Sequence, residues 1–138
     1  MSYDISLTDP ITGQTLQLDA PHHMRGGTYA VGGTAEARLN ITYNYGRHYC
    51  RIFRTRPVRE DVKGDQCNAG IDGEVGGIRS IYGLTGAESI PVLQAAISQL
   101  GDDTHPDYWE PTEGNAKRAL VQLLALAKMR PDGVWNGD

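Results

Sequence analysis

The feature that most constrains this chain is a helix spelled out from start to stop near its C-terminus. Thr112-Glu113-Gly114-Asn115 opens an Ala/Leu-rich run over 116–129, and Arg130-Pro131-Asp132-Gly133 closes it. Thr112 can cap the first free backbone amides, and Glu113 suits the positive end of the helix dipole. Lys128 and Arg130 suit the negative end, and Pro131 forbids continuation. Within the run, Ala116, Leu120, Leu123, Leu124 and Ala127 form one apolar stripe, so the helix must lie on something. A preceding helix is expected with Ser89 as its cap, Pro91 in its tolerant first turn and Ile90, Leu93, Ile97 and Leu100 inward, ending at Gly101.

The N-terminal half reads as strands. Tyr3, Ile5 and Leu7 alternate with polar residues, Asp9-Pro10-Ile11-Thr12-Gly13 supplies turn chemistry, and Leu16 and Leu18 resume the alternation, which predicts a hairpin. Thr28-Tyr29-Ala30-Val31 is a short strand-like piece between two glycine pairs. Leu39, Ile41, Tyr43 and Tyr45 share a face of the clearest strand, and Arg47, Tyr49, Arg51 and Phe53 share a face of an expected second one after Gly46. Residues 56–77 look like a long loop or insertion, broken by glycines and expected to be mobile. Ile78 to Tyr82 is a short strand or turn, and Trp135 should bring the tail back onto the core. The fold class is therefore α+β: a mainly antiparallel sheet from the N-terminal half, with two antiparallel C-terminal helices on one face, in a single domain over 1–138.

Blocks of the sequence resemble small uncharacterised proteins of tailed bacteriophages and prophages: Leu39-Asn40-Ile41-Thr42-Tyr43-Asn44-Tyr45, residues 77–93, and 107–116 with the continuation through Trp135. These cover about half of the chain, and residues 56–76 stand outside the resemblance as an insertion. It implies a viral or prophage origin, with no activity or catalytic residue to carry over.

Composition excludes some functions and leaves others. The formal net charge of −4 argues against general nucleic-acid binding, whose affinity comes from neutralising phosphates. No apolar run approaches the ~20 residues that cross a bilayer. The first residues lack the basic and apolar regions of a signal peptide, and the two cysteines, Cys50 and Cys67, have no metal spacing, so a cytoplasmic protein with reduced thiols is expected, in the bacterial host if phage-encoded. Charge is nevertheless uneven. Arg47, Arg51, Arg54, Arg56 and Arg59 fall together without an acid among them, whereas Asp102, Asp103, Asp107, Glu110 and Glu113 crowd the segment between the helices. The two surfaces can simply neutralise one another or face water.

Arginines alternating with aromatics can also hold a phosphate and stack a planar ring. The leading functional expectation is thus a small anionic ligand, nucleotide-derived in the host-defence setting a phage protein suggests, held by Arg47, Tyr49, Arg51, Arg54, Tyr43 and Arg79. The loop at 56–77 would close over it. The alternatives are inhibition of a host protein through Tyr, Trp and Arg anchors, and a small hydrolase using His48 or His105. Oligomerisation is compatible with either binding mode. No catalytic residue, cofactor or metal is assigned: His22, His23, His48 and His105 lack zinc-motif spacing, and Cys50 beside His48 lacks an orienting third group.

Overall fold

The computed structural model describes residues 2–22, 34–53, 56–57, 74–75 and 77–138, with the backbone alone at 20–22, 34, 56–57 and 74–75. Its centre is strand β1, Ser2–Thr8. Tyr3, Ile5 and Leu7 point one way and are buried, and this alternation fixes the register of both neighbours. Strand β4, Arg38–Thr42, pairs antiparallel with β1, placing Leu39 opposite Ile5 and Ile41 opposite Tyr3. On the other edge β1 pairs with β7, Val134–Gly137, where Trp135 faces Leu7. The sheet order is β4-β1-β7, so its third strand comes from the C-terminal end of the chain.

After β1 the chain turns at Asp9, whose Oδ1 accepts the amides of Ile11 and Thr12, and Gly13 adopts a φ of +74°. Strand β2, Gln17–His22, then pairs with β3, Thr34–Glu36, as a separate ribbon. Leu16 is the link: its amide donates to Leu7 O and its carbonyl accepts from Ala37. The expected strand at 28–31 lies outside the described residues. Of the segment 56–77, the backbone of β5, Arg56–Pro57, pairs with that of β6, Glu74–Val75; the rest, apart from Gly77, lies outside the description.

Two corrections concern the helices. The strand predicted through Tyr45 stops at Thr42, whose side chain accepts the Asn44 amide and turns the chain into a 3-10 turn at Tyr43–Tyr45. Helix α1, Gly46–Ile52, follows where a second strand was expected. The α+β class stands, but the fold has this additional helix besides the two C-terminal ones. The reason is a competing period: Tyr45, Tyr49 and Phe53 recur every four residues, and their rings stack edge to face at 6.2 and 6.0 Å along one helical side. The alternation of Arg47, Tyr49, Arg51 and Phe53 was the weaker signal.

Helix α2, Gly86–Ile97, is capped by Thr85 rather than Ser89. Thr85 Oγ1 accepts the Glu88 amide and Glu88 Oε1 accepts the Thr85 amide, a reciprocal capping box. Ser89 lies inside the helix, fully buried, accepting the Trp135 indole N–H at 2.7 Å. Residues 78–81 belong to a 3-10 turn, Gly77–Ile81. Helix α3, Glu113–Met129, is the one the sequence describes, with Thr112 accepting the Asn115 amide. It packs against α2, and a Cβ on Gly86 would come within 2.6 Å of Arg130 O, so glycine permits this crossing. In α3, Ala116, Ala119, Leu120, Leu123, Leu126 and Ala127 are all fully buried, whereas Leu124 of the expected stripe is only partly so. Among the described residues, no helix is long and apolar enough to cross a membrane.

Candidate functional site

Five of the six residues expected to form an anion site are described, and they fall in three places. Arg47 and Arg51 lie one turn apart on the exposed side of α1, and Arg51 donates to Glu113 at 3.0 Å. The acidic segment thus meets part of the basic one. Tyr49, on the same helix, points inward: its hydroxyl donates to Ala116 O at 2.9 Å, and burial holds its phenol well above the usual range. Tyr43 and Arg79 meet at the end of the sheet. The Arg79 guanidinium lies 5.1 Å from the Tyr3 ring centre and 5.7 Å from that of Tyr43, with Nε donating to Asp138 O at 2.9 Å and Nη2 to the Tyr43 hydroxyl at 3.3 Å. Arg79, in the 3-10 turn Gly77–Ile81, therefore ties Asp138, the residue after β7, to Tyr43. Arg54 lies outside the described residues.

The groups considered for catalysis are also placed. His48 and Cys50, expected to share a strand face, are on a helix, where two residues apart means nearly opposite sides. His48 Nε2 lies 2.7 Å from Pro111 O; a carbonyl only accepts, so Nε2 carries the proton and donates. His105 Nδ1 accepts the Asp107 amide at 3.0 Å, which puts its proton on Nε2. Among the described residues, no group of three or more His, Cys, Asp or Glu side chains could hold a metal ion. The His22 and His23 side chains lie outside the description.

What the fold does assemble is the connector between α2 and α3. A loop rich in Asp and Pro would ordinarily be a solvated link. Here it is tied from two sides. From α3, the fully buried Asn115 side chain takes three main-chain bonds: Nδ2 donates to Asp107 O at 3.1 Å and to Glu110 O at 3.0 Å, and Oδ1 accepts the His105 amide at 3.0 Å. Gly114 lets the connector cross the helix start, since a Cβ there would lie 2.7 Å from Asp103 C and Thr104 N. Asp103 Oδ1 accepts the Gly114 amide, and Lys117 pairs with Asp102 at 2.7 Å.

From α1 and the turn before it, successive residues reach the same loop. Asn44 Nδ2 donates to Trp109 O at 2.9 Å, the Tyr45 hydroxyl donates to Tyr108 O, and His48 donates to Pro111 O. The Trp109 amide donates to Asp107 Oδ1 at 3.0 Å. Both main-chain polar groups of Trp109 are thus fixed, yet the residue remains 44% exposed, whereas the other tryptophan, Trp135, is 1% exposed. The Tyr108 and Trp109 rings lie 4.8 Å apart at 34°, forming one tilted aromatic shelf, and Asp107 and Glu110, which flank the pair in sequence, are both exposed.

Composition marks this segment as acidic and aromatic. The residues that hold it, Asn44, Tyr45, His48 and Asn115, were not expected in that role. Asn115 carried the one local clue: a buried amide in the first turn of a helix, just after a cap, is placed to bind the chain that precedes it. No protein-family model matches the chain, nor does any curated protein or solved structure.

Proposed function

We propose that this chain is a binding module without catalytic chemistry, and that it docks a protein partner on the Tyr108–Trp109 shelf. The observation that carries the reading is Trp109: an exposed indole on a backbone anchored at both its N–H and its carbonyl. Large aromatics are the commonest anchors of protein interfaces, and an anchor already fixed loses less conformational freedom on binding. Both described histidine rings are engaged with the connector main chain, which favours support of a surface over proton transfer. The resemblance to phage proteins makes a bacterial host protein, in the cytoplasm, the class of partner that belongs to this proposal.

A second reading keeps the anionic ligand. It is favoured by Arg47 and Arg51, one turn apart on the exposed side of α1, where two guanidinium groups can converge on a phosphate. Affinity capture from host cells and calorimetry with ATP separate the two. The docking reading expects a partner recovered with wild type and with Arg47→Ala but lost with Trp109→Ala, at unchanged circular dichroism. Equal recovery with Trp109→Ala, or ATP binding lost in Arg47→Ala with no partner captured, would overturn it in favour of the anion.

A further inference from the structure

We propose that the shelf receives a basic segment of the partner protein, with a lysine or arginine side chain lying over the Trp109 ring between Asp107 and Glu110. This rests on the docking reading above and adds the chemistry of the occupant. Residues 101–113 contain five acids and neither lysine nor arginine. Asp102 is paired with Lys117 and Glu113 with Arg51. Asp103 and Asp107 each accept a main-chain amide, which leaves their charge in place. Among the described residues, no lysine or arginine pairs with Asp103, Asp107 or Glu110.

The aromatic rings make an independent selection. The face of an indole or phenol carries negative potential and attracts a cation within about 6 Å of its centre. Rings and carboxylates that have no lysine or arginine ion-pair partner among the described residues therefore favour the same sign of charge. An anionic partner would meet repulsion from both. A purely apolar partner would strip water from Asp107 and Glu110 and replace it with nothing. A basic segment covers the ring with its alkyl stem and brings its charge to the carboxylates. The net charge of −4 draws the same partner from a distance.

The test uses the full chain and a capped hexalysine peptide, followed by tryptophan fluorescence. Trp135 is buried against Ser89, so a change on binding reports Trp109. Saturable binding is expected, weakened about tenfold by Trp109→Ala as read by calorimetry, and largely retained in Trp109→Phe. Glu110→Gln should weaken it roughly threefold and lessen its salt dependence. Equal affinity in wild type and Trp109→Ala would overturn the proposal, placing the attraction elsewhere on the acidic surface. Equal affinity for hexaglutamate would overturn the choice of charge. Absence of hexalysine binding alongside Trp109-dependent capture of a partner would sink this inference and leave the docking reading standing; absence of both would sink the two together.

Discussion

Replacing Asn115 by alanine should loosen the connector while sparing the helix that carries it. The wild-type side chain is fully buried and makes three bonds, at 3.1, 3.0 and 3.0 Å, to the main chain of Asp107, Glu110 and His105. A hydrogen bond contributes about 1 kcal/mol net, and an orphaned buried group costs more, but these partners lie on an exposed loop where water can replace part of the loss. The balance is a destabilisation of about 2–4 kcal/mol, a substantial part of the 5–15 kcal/mol that typically holds a domain together. Alanine at Thr112 should cost only ~1 kcal/mol, because it removes one cap bond. Asn115→Asp keeps the acceptor for the His105 amide but turns two donors into an acceptor facing two carbonyls, so it should be no more stable than the alanine variant. Urea denaturation followed by circular dichroism gives the stability, and hydrogen exchange at the His105 amide gives the local order. An unchanged midpoint together with unchanged protection of that amide would refute the reasoning.

Further expectations follow from the core and the helix contacts. Leu120→Ala or Leu123→Ala, each at a fully buried position of α3, should cost about 2–5 kcal/mol in chemical denaturation through lost burial and a cavity. Gly86→Ala should cost about 1–3 kcal/mol, because its Cβ would meet backbone at Arg130 and Pro131 and the helices would have to part; a neutral result would show that the crossing is loose. A double-mutant cycle on Arg51 and Glu113 should give a coupling below about 1 kcal/mol that fades with salt, as the pair is partly exposed. At high pH, burial pushes the Tyr45 phenol up to about 12 and holds those of Tyr49 and Tyr82 well above the ordinary value. The folded chain keeps these protons where an unfolded tyrosine, with a pKa near ~10, has lost them. Stability is whole below pH ~10 and falls as pH rises from about 10 towards 12, and phenolate absorbance should show these tyrosines titrating only as the fold is lost.

Local signals reached some elements and failed at others for physical reasons. Helix α3 was legible because cap, stripe and stop agree, and the Asp9 turn because Asp, Pro and Gly each supply a distinct piece of turn chemistry. Helix α1 was misread as a strand because a run this short satisfies both periods. One contact that holds the helix, Tyr49 to Ala116, spans 67 positions and leaves no local trace. The cap of α2 was readable in Thr85-x-x-Glu88, yet Ser89 looked like the start because a serine before an apolar run is the commoner cue; its burial against Trp135 is a tertiary fact. The aromatic shelf was visible as composition. Its rigidity was not, since Asn44 reaches Trp109 from 65 positions away.

If the connector surface is where this chain docks its partner, as proposed, amide hydrogen exchange on the complex recovered by affinity capture should differ from that of the free chain at the connector. New protection is expected over residues 105–111, with little change over α1 beyond the contacts that already support the loop. Protection centred on the outer side of α1 around Arg47 and Arg51, with residues 105–111 exchanging as in the free chain, would contradict it.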